Sequence, residues 1–154
     1  MYTLSSLLPD CVGKFISNQD GEVQLDKLLD GRVYAKVWHT VLNQWLIPHY
    51  QQGKNINLAP LGIIIQSNES NAHFIFSHSF ISNFKITIDD PSDDMYDSHY
   101  STTSINFHTL AKLAGIKTEI FRTAYNHIFM QLGVALKTEP LVSIDFTIGN
   151  LTAQ

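Results

Sequence analysis

A helical stripe followed by two strand segments that a glycine separates is written twice along this chain, and such a recurrence restricts the fold to a duplicated helix-and-sheet unit. In the first copy the apolar residues Val33, Val37, Trp38, Val41, Leu42, Trp45 and Leu46 advance by the steps of one helix face. Pro48 is expected to kink or end that helix, and Gly53 to stop it. The chain then reads INLAPLGIIIQ from Ile56 to Gln66, a polar turn at residues 68–71, and a second apolar run from Ala72 to Phe76. In the second copy Phe107, Leu110, Ala111 and Ala114 form a short helix stopped by Gly115, and Thr118 is expected to cap the next one. That next helix carries the clearest stripe in the chain: Ile120, Phe121, Ala124, Tyr125, Ile128, Phe129 and Leu132. Strands follow at Val142 to Phe146 and Gly149 to Thr152.

The chain has 154 residues, room for one ordinary domain or two small ones, and the repeat favours two. Residues 1–22 read as an N-terminal extension, 23–88 as the first unit, 89–104 as an acidic linker and 105–154 as the second unit. The linker holds five aspartates and no Lys or Arg, but it lacks the alternating ligands and central Gly of a calcium loop. It is expected to be solvated. Leu25, Leu28 and Leu29 suggest a short helix ahead of Gly31, and Ile86 with Ile88 a last short strand.

Hydrophobic residues make up 44% and charged ones 16%, enough apolar material for a packed core. The net charge of -4 counts against a nucleic-acid footprint. Cys11 is the only cysteine, so neither an internal disulfide nor a thiolate metal cage is available, which fits a reducing compartment. The start, MYTLSSLLPDCVGKF, lacks a basic n-region and an apolar h-region, and no later segment has about 18 uninterrupted apolar residues. A cytoplasmic protein is expected. The triplets at Asn68 and Asn150 match a glycosylation acceptor only as chance permits in an Asn-, Ser- and Thr-rich chain.

Two helices followed by strands separated at Gly62, with Ile56, Leu58, Leu61 and Ile63 around it, resemble the bacterial histone-like HU and integration host factor fold. Trp38, Gly53-Lys54, Pro60-Leu61-Gly62, the run from His73 to Phe84, INFHTLAKLAGI from Ile105 and DFTIGNL from Asp145 are similar to the tandem HU-like region of the coiled-coil domain-containing protein 81 family. The resemblance extends from Val23 to Gln154. It implies an α+β chain of two tandem HU-like units, each two helices and a small antiparallel sheet, the second without an arm. It further implies a non-enzymatic role in cilia and centrosomes, on axonemal doublet microtubules, with other axonemal proteins and tubulin as the expected partners. Pairing of the two units within one chain would give a monomer with a pseudo-two-fold core.

On this view Pro60, Gly62 and Gly149 mark a strand kink, where Gly tolerates close approach and Pro is accepted at a bulge. The copies differ in register: Ile56 and Leu58 stand at even spacing before Gly62, whereas Val142, Ile144 and Phe146 stand at odd spacing before Gly149.

HU proteins grip the minor groove with basic ribbon arms. The corresponding run here, Ile63 to Phe76, has no Lys or Arg and contains Glu69, so the resemblance carries over the scaffold and not the DNA-binding activity. The alternative is an atypical DNA-binding protein using LAKLAGIKTEIFRTAY as a helix-turn-helix, with Lys117 and Arg122 on the nucleic acid. The apolar girth of the second helix suits a buried position better.

Enzyme readings lack residues to carry them. QGKNIN departs from the phosphate-loop spacing, and His39, His49, His73, His78, His99, His108 and His127 form no ligand-spaced pair, so they read as surface or interface histidines. No cofactor and no metal are expected. Trp38, Trp45, Tyr50, Phe80 and Phe84 are the candidates for contacting a protein partner, because Trp and other aromatics are favoured at interface centres.

Overall fold

The computed structural model describes residues 1–15, 28–66, 72–86, 95–96 and 101–153. Leu25, the polar turn at 68–71 with Glu69, Ile88, His99 and the aspartates of the acidic segment lie outside them. The molecule is a mixed α+β protein with two small sheets.

The architecture is organised around one helix. Thr118–Thr138 holds ten buried residues, among them Phe121, Tyr125, Ile128, Phe129 and Leu132, and four other helices pack on it. Its stripe is wider than the sequence pattern alone requires, which is what burial on several faces produces. Numbering in chain order, β1 is Tyr2–Thr3, α1 Leu4–Asp10, α2 Gly31–Val41, α3 Ile47–Gln51, β2 Ile56–Leu58, β3 Gly62–Gln66, β4 Ala72–Ser77 and α4 His78–Phe84. Then come β5 Met95–Tyr96, β6 Thr103–Ser104, α5 Phe107–Ala114, α6 Thr118–Thr138, β7 Val142–Asp145 and β8 Asn150–Ala153. Helices α1, α2, α4 and α5 all contact α6.

Local chemistry sets the ends of these helices. The Asp30 carboxylate accepts from the Val33 N–H at 3.0 Å and opens α2, and the Asn106 side chain accepts from Thr109 N–H at 3.1 Å and opens α5. Either cap contributes about 1 kcal/mol. Gly115, at φ 70°, ends α5, with the Ile116 N–H bonded to Ala111 O at 3.0 Å. Thr118 is the first residue of α6, so the capping position falls on Lys117, which makes no side-chain cap.

Pro48 neither ends nor breaks the helix it sits in. A π-helical turn over Leu42–Leu46 joins α2 to α3, and the Ile47 N–H reaches Leu42 O, five residues back. The extra residue in that turn takes up the missing proline donor before Pro48 is reached, and the helical path continues to Gln51. The His49 ring adds a bond from Nδ1 to Trp45 O at 2.6 Å, which requires the proton on Nδ1 because a carbonyl can only accept.

Between Leu58 and Gly62 the chain reverses rather than bends. Strands β2 and β3 are antiparallel, Leu58 opposite Gly62 and Ile56 opposite Ile64, with a turn closed by Leu61 N–H to Leu58 O at 2.9 Å. Pro60 is exposed at the tip. Gly62 is needed on its other side, where β4 crosses: a Cβ there would sit against the Ile75 carbonyl and 3.0 Å from the Phe76 Cα. Gly149 does not repeat that role. A Cβ on it would meet open space, and the left-handed residue of the β7–β8 turn is Thr147, at φ 71°. The Asp145 carboxylate fixes the turn by accepting from Thr147 N–H at 2.7 Å.

The described residues of the segment expected as a linker include two short strands. The larger sheet has the order β5-β4-β3-β2-β6, and its two edge strands come from residues 95–96 and 103–104, both parallel to their neighbours. The N-terminal residues are likewise built in. The smaller sheet has the order β1-β7-β8, with Tyr2 parallel to Val142 and Thr3 to Ser143. Ile86 is not in a strand; its N–H bonds Ile81 O at 3.0 Å and closes α4, with Lys85 left-handed at φ 54°.

One hydrophobic cluster runs from Tyr2 and Leu7 through Trp38, Leu46, Ile56 and Phe80 to Phe129, Ile144 and Phe146. Each large side chain buried in it contributes about 1.5–3 kcal/mol relative to exposure. The Tyr125 hydroxyl crosses between the two expected units and donates to Ala59 O, in the β2–β3 turn, at 2.6 Å. The β2–β3 turn is thereby tied to α6, and Val142, Ile144 and Phe146 of the other hairpin enter the same cluster.

Candidate functional site

The five aromatic residues singled out for a partner divide. Trp38 is 2% exposed, Trp45 4% and Phe80 1%, so these three are core side chains and present no surface. The Trp38 ring lies 5.2 Å from that of Phe146 and 6.4 Å from that of Phe129, Trp45 packs on His49, and Phe80 on Phe84. The reason is geometric: α2, which carries Trp38, has helices on more than one side, Trp45 lies in the π turn that prolongs it, and Phe80 lies on α4, which packs on α6. Tyr50 and Phe84 are half-buried against the same cluster. Phe84 lies on Gly133 of α6, where a Cβ would meet its ring atoms at 2.5–2.6 Å. The indole N–H of Trp38 is buried with no hydrogen-bond partner among the described residues, a cost of about 1–3 kcal/mol.

Lys117 and Arg122 are exposed at the start of α6, and the Arg122 guanidinium stands 5.3 Å from the centre of the Phe107 ring. The helix they belong to is the central one of the core. Among its exposed residues are Glu119, Asn126 and Met130.

Three places have the geometry of a site. The first is an apolar pocket of about 180 Å³ where the two sheets approach, lined by Leu58, Ile64 and Phe74 from one side and Phe146, Ile148 and Leu151 from the other. Gly149 borders it. Beside it β8 has, among the described residues, a neighbour only on its β7 side. Its residues Asn150 to Ala153 carry no charge and no proline, so the outer backbone donors and acceptors are open to a further strand.

The second is a groove of about 370 Å³ between α2 and α5, lined by Lys36, His39, Thr40, Asn43 and Gln44 with Leu113 opposite. Those five α2-side positions fall on one helix face, and the turn over Leu42–Leu46 continues it.

The third is a buried polar chain where the N-terminal residues meet α6. The Tyr34 hydroxyl and His127 Nδ1 lie 2.8 Å apart, and the Gln131 amide donates to the Tyr2 hydroxyl at 2.8 Å. Tyr2 in turn donates to the Asp10 carboxylate at 2.9 Å, and Lys14 Nζ donates to Gln131 Oε1 at 2.6 Å. His127 is 8% exposed and Gln131 3%, which corrects the expectation of a surface histidine. Burial holds the His127 pKa below its ordinary 6.5. Burial chiefly, with Asp10 adding, pushes the Tyr2 hydroxyl and the Cys11 thiol each up to about 12. Cys11 points its thiol at Leu7 O, 3.3 Å away, so it stays protonated and inert. The chain fastens residues 2–14 to α6, and chemistry there would need a substrate to displace core. His127 and Gln131 were missed because their i, i+4 spacing reads as a polar face when the helix is assumed to have one.

No protein-family model matches the chain, and no curated protein matches it.

Proposed function

We propose that this chain is a tandem HU-like protein acting as a non-enzymatic, structural protein-binding module, a component of ciliary axonemal doublet microtubules. A helix ahead of a hairpin in each half supports the two-unit description: the continuous path of α2 and α3 leads to the β2–β3 hairpin, and α5 and α6 to the β7–β8 hairpin. In place of two separate cores the units share α6 and the cluster around it. The observation that carries the binding role is the open, uncharged β8 edge beside the apolar pocket lined by Leu58, Phe74 and Phe146. An added strand would gain main-chain hydrogen bonds from the edge and side-chain selectivity from the pocket.

The experiment is co-sedimentation of the full chain with isolated axonemal doublets, alongside fluorescence anisotropy of labelled duplex DNA at low and moderate salt. Retention on doublets, weakened by charge at the edge through Thr152→Lys, is the expected result. DNA binding that falls steeply with salt, with no retention on doublets, would overturn it and bring Lys117 and Arg122 forward.

A further inference from the structure

Helices α2 and α5 pack together, and neither contains an Asp or Glu, nor do the π turn and α3 that prolong α2. Their exposed cations are Arg32, Lys36 and Lys112, and Lys117 follows at the start of α6, while the exposed acids beside them are Asp30, which caps α2, and Glu119. In a chain of net charge -4 the described residues here thus leave four cations against two acids, a local excess of positive charge that is invisible along the sequence. The groove between the two helices lies within this region. It is lined by one ammonium, from Lys36, by the hydrogen-bonding side chains of His39, Thr40, Asn43 and Gln44, and by Leu113, which is 61% exposed. Leu113 is thus the one large apolar side chain on a groove otherwise lined mainly by polar groups.

We propose that this groove docks an acidic segment of a partner protein, whose apolar side chain packs on Leu113 while its carboxylates meet Lys36 and, one helical turn earlier, Arg32. The proposal rests on the protein-binding role above and assigns it a second surface, distinct from the β8 edge. Asn43 and Gln44 each offer a donor and an acceptor to the segment's backbone. Charge complementarity selects the acidic character, and Leu113 selects protein over nucleic acid. A phosphate backbone would place its charges over an apolar side chain, with a single lysine lining the groove to neutralise them.

The test uses the full chain labelled with nitrogen-15, titrated with a short Glu-rich peptide carrying leucines at helical spacing, the same peptide with Gln for Glu, and duplex DNA. Amide shifts are expected over Lys36 to Gln44 and around Leu113 with the acidic peptide and not with its Gln version. Lys36→Glu and Leu113→Ser each change an exposed residue and should leave the circular dichroism as it is. Each should weaken the peptide by about fivefold or more. Shifts confined elsewhere, no shifts at millimolar peptide, unchanged affinity in both variants, or DNA moving these amides in place of the peptide would overturn the groove. Sedimenting the same variants with doublets separates the two ideas. Wild-type retention without these shifts removes the groove and leaves the module, whereas shifts without retention remove the axonemal role and leave the groove.

Discussion

Gly62 and Gly149 look equivalent in sequence and are not equivalent in the fold, so replacing each by alanine separates a close approach from a mere coincidence. At Gly62 the new Cβ meets backbone on β4, the Ile75 carbonyl and the Phe76 Cα, and neither is the free end of a side chain. Strand β3 would have to move away from β4 along a ladder that pairs Gly62 with Phe76 and Gln66 with Ala72. Overpacking of this kind costs about 1–3 kcal/mol, against about 0.5–1 kcal/mol recovered by losing a strand glycine. The net loss of about 1–2 kcal/mol should lower Tm by about 2–8 °C for a chain of this size. Gly149→Ala puts its methyl into open space, at a residue outside the left-handed region. It should leave Tm unchanged or raise it by about 1–4 °C through the unfolded state. Thermal unfolding followed by circular dichroism reads both. Equal losses in the two variants, or an undisturbed Gly62→Ala, would refute the account of the β3–β4 crossing.

Lowering the pH should destabilise the protein through His127. Its folded pKa lies below the unfolded value, so the unfolded chain takes the proton first and stability falls as pH drops below about 6.5 until the folded value is reached. The slope is at most about 1.4 kcal/mol per pH unit for one such group, and chemical denaturation across that range should show it shallower in His127→Gln. Tyr2→Phe leaves the Gln131 amide, 3% exposed, without its acceptor. A loss of about 1–3 kcal/mol in urea unfolding is expected, and no loss would mean that β1 is not held by that bond. Gly133→Ala should gain helix stability of about 1 kcal/mol only when Phe84→Ala has already cleared the ring from its path. A double-mutant cycle with no coupling between them would place Phe84 elsewhere.

Much of this was legible in the residues. The stripes from Val33 and Ile120 became α2 and α6, the apolar runs around Gly62 became β2 and β3, and Val142 to Asp145 became β7, because each is long enough to express a period. What escaped was short or distant. Strands β1, β5 and β6 have two residues each, too few for alternation, and are formed by parallel partners far along the chain. Within residues 89–104 the aspartates lie outside the described residues, while residues 95–96 and 103–104 form sheet edges that no composition announces. The inward faces of Trp38 and Trp45 depended on knowing which helices pack on α2 and its π turn, and that of Phe80 on knowing that α4 packs on α6. Lys36, Thr40, Asn43 and Leu113 share a groove only once α2 and α5 are neighbours.

The pairing of Tyr2 with Val142 also sets an order of events during synthesis. Strand β1 cannot complete its sheet until β7 has followed it from the ribosome, and α6, on which four helices pack, is made only after the β2–β3–β4 meander. The β2–β3–β4 meander can close early because its contacts are local. Until α6 arrives, Leu7, Trp38 and Ile56 have no core to enter, so a nascent chain halted near residue 100 is a sticky one. A release that is slow, or assisted by a chaperone that covers apolar surface, follows from where the chain keeps its central helix.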